Sequence, residues 1–584
     1  MAIGTTIKSI QDIMRKDVGV DGDAQRIGQL VWLLFLKIWD DREQELALIE
    51  EDFASPLTNI TWVENGESRE APDLRWSSWA TDPEGITGDT LLEFANGILF
   101  PALKGMEVGP RIEGSDAEFL AARTLHHRRV LIKRVFEDAY QYMKSGTLLR
   151  QVINKMQGDI DFNDATNRHL FGDLYETILK DLQSAGNAGE YYTPRAVTQF
   201  AVDMVNPRLG EKILDPACGT GGFLTCAIEH VRAQDVQTAE QESQLHASVH
   251  GVEKKPLPHL LCVTNMIVHG IDVPTGIVHD NTLSRPLREI TMKDRVDVVV
   301  TNPPFGGMEE DGIENNFPAD FRTRETADLF LVMIVEILKP GGRAAIVLPD
   351  GTLFGEGVKN RIKEHLLTQC NLHTIVRLPR GVFAPYTSIK TNILFFEKGE
   401  PTTDIWYYEH PYPEGYKIYS KTKPMRIDEF DAEKAWWTSR VESEHAWKVP
   451  FAALLAEATE KAQPHWSAAE EAQRASEKAN AALKELRQRK RSDQRSFTPA
   501  DETRLDALTQ VYEQQRALAT QEKQAGDSIH DAVFNLDIPN PNVPEDTHGD
   551  PDALLARFRK EQTAVSRLRD ELKQVLATAL RGGQ

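Results

Sequence analysis

Asp297-Val298-Val299-Val300-Thr301-Asn302-Pro303-Pro304-Phe305 reads as a buried strand that breaks into a rigid loop. The β-branched apolar run predicts the strand. The paired prolines fix two φ angles and remove two N–H donors. The loop therefore offers carbonyls, the Asn302 amide and one aromatic ring. That inventory suits the exocyclic amine of a flat heteroaromatic base: acceptors for its N–H groups and a ring to stack upon. A plain turn would use the same four residues, so the surrounding sequence has to decide.

Around this strand, short β-rich runs alternate with helical stretches from about residue 166 to 420. The runs are Lys212–Leu214, Val249–Val252, Gly276–Val278, Val296–Val300, Ala344–Leu348, Thr374–Leu378 and Asn392–Phe396. Such alternation predicts an α/β domain: a doubly wound, mainly parallel sheet of seven strands with helices on both faces. Residues 1–165 predict an all-helical domain, with Ile27, Leu30, Val31, Leu34 and Ile38 at helical spacing. His126-His127-Arg128-Arg129, with Lys133 and Arg134, reads as a solvated helix face or, second, a phosphate-contacting one. Residues 421–584 predict a helical, charged region with a coiled-coil seam at Val565, Leu568, Leu572, Val575 and Ala579. Asn535-Leu536-Asp537-Ile538-Pro539-Asn540-Pro541 interrupts it as a rigid connector.

In an open α/β sheet, ligands bind at the carboxyl ends of the strands. The first strand of the domain runs into Asp215-Pro216-Ala217-Cys218-Gly219-Thr220-Gly221-Gly222-Phe223. Three glycines let the backbone turn tightly and approach a ligand closely. The spacing matches neither the dinucleotide fingerprint nor the P-loop, so a nucleoside without a phosphate chain fits better. Asp215 at the rim would attract a cation such as an ammonium group. Glu253 closes the second run and can accept both hydroxyls of a ribose. Asp280 and Asn281 close the third, where Asp280 could meet the amine edge of an adenine. Upstream, Glu190-Tyr191-Tyr192-Thr193-Pro194-Arg195 places polar and aromatic groups before a helix that Pro194 could start. A capped helix with packing aromatics is the plainer reading of that last segment.

The chain has 584 residues, 41% hydrophobic and 27% charged, with a net charge of −22. A stand-alone DNA binder usually carries a basic balance. This one needs a local basic groove or a partner that makes the phosphate contacts. Cys218, Cys226, Cys262 and Cys370 lack metal-ligand spacing, which predicts neither disulfides nor zinc. The most apolar stretch, Val31 to Trp39, carries Lys37 and is too short to span a bilayer. With no signal-peptide pattern, a cytoplasmic protein without membrane contact is expected.

Taken together, these motifs resemble the modification (methyltransferase) subunits of Type I restriction-modification systems. The likeness joins Glu190 to Arg195, Asp215 to Phe223, Thr301-Asn302-Pro303-Pro304-Phe305-Gly306, Lys339-Pro340-Gly341-Gly342-Arg343 and Leu348-Pro349-Asp350-Gly351. Their order is similar to that of the gamma class of DNA amino-methyltransferases. The resemblance implies transfer of a methyl group from S-adenosylmethionine to N6 of a flipped-out adenine in DNA, with no metal required. It implies Asn302, Pro303, Pro304 and Phe305 as the catalytic loop. Glu190, Tyr191, Tyr192 and Thr193 would form a cofactor lid. The glycine loop would hold the cofactor through Asp215, Ala217, Gly219, Thr220, Gly221, Gly222 and Phe223, with Glu253, Asp280 and Asn281 beyond it. Gly306 to Thr326 would be a loop that closes on DNA. A separate specificity subunit, clamped by two modification subunits, would choose the target. The C-terminal helices would dock that subunit, and restriction or translocase subunits can join the complex. N4-cytosine methylation, protein methylation and a non-enzymatic DNA-associated scaffold are the alternatives.

Overall fold

A computed structural model of the chain describes residues 3–50, 53–109, 120–160, 192–384, 387–420, 422–492 and 497–542, with residues 555, 559, 562 and 569. The strand that leads into Asn302 lies inside a nine-stranded sheet. The strands are β3 (Ile213–Asp215), β4 (Val249–Glu253), β5 (Ile277–His279), β6 (Val296–Thr301), β7 (Leu338–Pro349), β8 (Cys370–Leu378), β9 (Thr391–Lys398), β10 (Ile405–Glu409) and β11 (Ala446–Val449). A separate pair, β1 (Thr61–Glu64) and β2 (Glu67–Glu70), lies near the N-terminus. The large sheet runs β11-β10-β8-β9-β7-β6-β3-β4-β5. Pairings among β3 to β7 are parallel, as is β8 with β10; β9 and β11 run antiparallel to their neighbours. The order reverses between β3 and β6, which opens a crevice at their carboxyl ends.

Side chains alternate across the sheet. Val298 and Val300 face a core that continues into the N-terminal helices. Val299 faces a second core formed with the helices Thr326–Ile337 and Val358–Gln369. The sheet is thus doubly wound, as the alternation predicts.

Three expectations need correcting. All seven predicted runs form strands, but β10 and β11 extend the sheet to nine. Trp406 and Tyr408 on β10 meet Trp436 edge-on, at ring distances of 5.8 and 5.1 Å. The catalytic sheet therefore runs to Val449, beyond the boundary expected near residue 420. The N-terminal region is not all helix, because β1 and β2 form a hairpin. Asn65 and Gly66 both have positive φ, 54° and 85°, which matches the twist of a tight hairpin turn.

The basic cluster is only partly solvated: His127 and Arg134 are exposed, while Arg128 is buried and Arg129 and Lys133 are half-buried. Arg128 pairs with Glu50 at 3.0 Å. Arg129 donates to the Thr58 carbonyl, and Lys133 to that of Met106. These side chains cap loops inside the N-terminal domain. That domain also packs on the catalytic one: Arg42 bridges to Asp272 at 2.7 Å.

Beyond the sheet, the helices Phe451–Ser492 and Pro499–Asp531 form a long hairpin. After it the chain returns to the sheet. Tyr407 Oη donates to the Leu536 carbonyl at 3.0 Å, Arg377 pairs with Asp537, and Asn540 reaches the Glu444 carbonyl at 2.7 Å. The connector read from the sequence is a clasp across β8 and β10. The seam at Val565 to Ala579 lies outside the described residues. Among the described residues, no helix is long and apolar enough to cross a membrane.

Candidate active site

The loop after β3 turns through Gly219 (φ 53°) and Gly221 (φ 84°). Gly221 caps the helix Gly222–Asp235 from the left-handed region. A Cβ there would lie 2.9 Å from Cys262 Sγ and 3.0 Å from Met266 Cε, so only glycine fits. Thr220 contributes its carbonyl, which accepts from Asn265 Nδ2 at 3.0 Å. Phe223 is buried in the core, so the site receives backbone from this position rather than a ring.

Asp215 does not stand at an open rim. It is 1% exposed. Its Oδ1 accepts from Thr301 Oγ1 at 2.6 Å and from the Ala217 N–H at 3.1 Å. One carboxylate thus ties the glycine loop to the end of β6. Burial pushes its pKa up to about 7, with the Glu253 charge adding to the rise against these hydrogen bonds.

Glu253, at the end of β4, accepts from Gly219 N–H at 2.9 Å and from Lys255 N–H at 2.7 Å. Its carbonyl accepts from Asp280 N–H at 3.0 Å. Asp280 is exposed, and its Oδ1 accepts from Asn281 N–H at 2.7 Å. Asn281 caps the next turn through Leu283 N–H at 3.0 Å. Thr282 Oγ1 closes the circuit by donating to the Pro216 carbonyl at 2.6 Å.

On the other side of β3, Asn302 Nδ2 donates to Thr193 Oγ1 at 2.8 Å. The proposed lid and the catalytic loop therefore meet directly. Asn302 Oδ1 is buried and has no hydrogen-bond partner among the described residues. A buried acceptor without a donor is unfavourable by about 1–3 kcal/mol unless a ligand satisfies it. Pro303 is buried and Pro304 exposed. Phe305 is 5% exposed and meets Phe383 edge-on at 5.9 Å. Its ring is covered, so it presents no open face for stacking in this arrangement. Tyr192 is half-buried against the same core. Glu190 and Tyr191 lie outside the described residues.

Two further groups escaped the sequence reading. Glu309 is buried and accepts from Lys254 Nζ at 3.1 Å, Asn281 Nδ2 at 3.3 Å and Thr326 Oγ1 at 3.3 Å. It fastens the start of the Gly306–Thr326 loop to the ends of β4 and β5. Phe383 follows β8 as Phe305 follows β6; an aromatic placed soon after a glycine at a strand end was the available signal. All four cysteines are buried free thiols. Among the described residues no group of three or more His, Cys, Asp or Glu side chains is placed to hold a metal.

Two family profiles match the chain. One, described as N-6 DNA Methylase, covers residues 166–475. The other, described as the HsdM N-terminal domain, covers residues 3–156. The Type I restriction enzyme EcoEI methylase subunit of Escherichia coli is 50% identical, with 100% of this chain and 99% of that protein covered. A modification subunit crystallised from Vibrio vulnificus YJ016 aligns with a TM-score of 0.66 at 44% identity, over 78% of this chain and 93% of that one. A chain from a study of complex assembly and conformational transition in the Type I restriction-modification system aligns at 0.64 and 30% identity, over 99% of each chain.

Proposed function

Because the chain belongs to the methylase subunits of Type I restriction enzymes, we propose that the crevice between β3 and β6 moves a methyl group from S-adenosylmethionine to N6 of adenine in DNA. One observation carries this reading: Asn302 Oδ1, a buried acceptor with no partner among the described residues, at the end of the strand beside the glycine loop. An exocyclic amine supplies the donor it lacks.

The residues present fit the cofactor. The glycine loop gives close backbone approach, and a Cβ at Gly219 would meet nothing within 4 Å. Glu253 would hold the ribose and Asp280 and Asn281 the adenine edge, while buried Asp215 would act on the methionine portion only through the glycine loop it fastens. Ala217, Thr220, Gly221, Gly222 and Phe223 shape the loop. Glu190, Tyr191, Tyr192 and Thr193 would cover it. Bound S-adenosylmethionine supplies an electrophilic methyl group on a sulfonium, so the protein needs neither a nucleophile nor a metal.

The chain's own task is orientation. Asn302 Oδ1 and the Pro303 carbonyl accept the two amine hydrogens and turn the nitrogen lone pair toward the methyl donor. The Thr193 hydroxyl accepts from Asn302 Nδ2, which leaves the amide oxygen to face the amine. A base inside a duplex cannot reach this crevice, so it is flipped out. Phe305 would then turn a face to the flipped base while Phe383 keeps its edge-on contact.

Target choice belongs to a separate specificity subunit, held by two copies of this chain, with DNA and restriction subunits in the same complex. The net charge of −22 supports that division. The protein works in the cytoplasm. The test is to express the chain with its specificity subunit, digest the plasmid to nucleosides and read them by mass spectrometry. N6-methyladenine is expected, and Asn302→Ala removes it while cofactor binding persists. N4-methylcytosine, or unmodified DNA from the wild-type complex, would overturn the reading.

A further inference from the structure

Three buried polar side chains, His410, Tyr419 and Glu433, and the half-buried Glu429 lie just outside the proposed active site. His410 Nδ1 is 2.5 Å from Glu433 Oε1, and both side chains are 1% exposed. His410 Nε2 faces Tyr419 Oη at 3.4 Å, and that hydroxyl donates to Glu429. Glu433 Oε2 is buried with no partner among the described residues. Burial and the neighbouring Glu429 keep the Tyr419 hydroxyl protonated, so it is a permanent donor. Burying a carboxylate and an imidazole is unfavourable unless their geometry is exacting, and such networks select one arrangement of what surrounds them.

What surrounds them is the target end of the crevice. The turn after β8 carries Phe383, which meets Phe305. That turn is clasped from outside at two points. Tyr412 Oη donates to the Arg380 carbonyl at 3.0 Å. Gly381 (φ 86°) packs so tightly that a Cβ would lie 2.3 Å from the Tyr419 carbonyl oxygen. On its other side, the His410 ring lies 4.7 Å from that of Phe430, which stacks on Phe200 at 4.2 Å. Phe200 sits on the helix Arg195–Val205, whose start follows Thr193, the partner of Asn302. The His410 N–H also donates to the Arg377 carbonyl at the end of β8, at 3.0 Å.

The two neighbours of the catalytic loop, Phe383 and Thr193, thus trace back to one cluster. We propose that Glu433, His410, Tyr419 and Glu429 are positioning residues that hold Phe383 and Thr193 in register with Asn302 and Phe305. They touch neither DNA nor cofactor. This inference rests on the methyl-transfer reading above, since it assigns a role within that reaction.

The deciding variant is Tyr419→Phe, which keeps the ring and removes one hydroxyl. Single-turnover methylation of plasmid DNA by the assembled complex is measured at saturating S-adenosylmethionine, with cofactor Kd by calorimetry. A 2-aminopurine probe at the methylated position, once that position is read from the plasmid, reports the flipped state. The variant is expected to slow transfer by about 10-fold or more and to lower probe emission. Cofactor Kd stays within about twofold, and so does the yield of folded complex, because the pairing of His410 with Glu433 is untouched. Wild-type transfer and emission in the variant would overturn the proposal. So would a transfer loss matched by an equal loss of cofactor binding, which marks general damage. If Tyr419→Phe does not fold, the same measurements on Glu429→Gln decide, because that side chain is the half-buried end of the cluster and accepts from the Tyr419 hydroxyl. A wild-type complex that leaves DNA unmethylated would overturn the methyl-transfer reading itself, and the positioning role with it.

Discussion

The end of β6 and the helical hairpin Phe451–Asp531 treat buried polar groups in opposite ways. In the hairpin, local rules are obeyed except at Pro464, which lies inside the first helix. Thr498 and Asp501 form a capping box at the start of the second helix. Ala458, Ala462, Ala469, Ala472, Ser476, Ala479, Leu483 and Leu486 make a seam at spacings of three and four, with one longer step where Trp466 sits. Trp466 covers Gly526 and donates to Asp527 at 2.9 Å. At β6 the rules are broken: two prolines follow the strand, Asp215 is buried beneath it, and Asn302 Oδ1 lacks a donor. Regular packing there would satisfy every group and leave nothing for a ligand. The departures from local consistency at β6 therefore coincide with the proposed site.

The largest effect expected from breaking this contrast is at Asn302. Asn302→Ala should lower methyl transfer by about 10²–10³-fold while calorimetry finds cofactor affinity within about twofold. Equal loss of both would mean that Asn302 mainly supports the fold. Gly221→Val comes next. Its Cβ would meet Cys262 and Met266 at a φ of 84°, so cofactor affinity should fall at least tenfold and stability by about 1–3 kcal/mol. Binding at wild-type strength would remove the glycine loop from the cofactor site.

Gly526→Val tests the opposite region. A Cβ there would lie 2.6 Å from Trp466 Cδ1, which should destabilise the hairpin by about 1–3 kcal/mol in denaturant. Cofactor affinity should not move; if it does, hairpin and crevice are coupled.

The smallest effect is at Asp215. Its folded pKa of about 7 lies above the usual carboxylate value near 3.9. Its contribution to stability is therefore fully present below about pH 4, declines as pH rises, and is lost above about pH 7. Tm of the wild type relative to Asp215→Asn should fall across that window and level off beyond it. A flat difference would show that the carboxyl is ionised throughout.

Much of the crevice was legible because its signals are local. Val298 to Val300 announce a buried strand, and Gly219 to Gly222 a tight turn, within a few residues. The hairpin of β1 and β2 was equally legible: Asn65-Gly66 between alternating residues is a strong turn signal, and it went unread. The fate of Arg128 was not legible, because its partner Glu50 lies far away in the chain. The same holds for Glu309, and for Asp215, whose burial depends on Thr301 arriving from β6. Charge and residue type fix what a side chain can do; long-range packing decides whether it faces water.

The clasp after the hairpin has a consequence for chain connectivity. Residues on both sides of the hairpin tip are rooted in the same sheet: Phe451 follows β11, and Leu536 and Asp537 hold Tyr407 and Arg377. The covalent link across the tip is therefore mechanically redundant. New termini opened there would leave two segments still joined by the helical seam and the clasp, which makes the tip the natural place to split or circularly permute this protein.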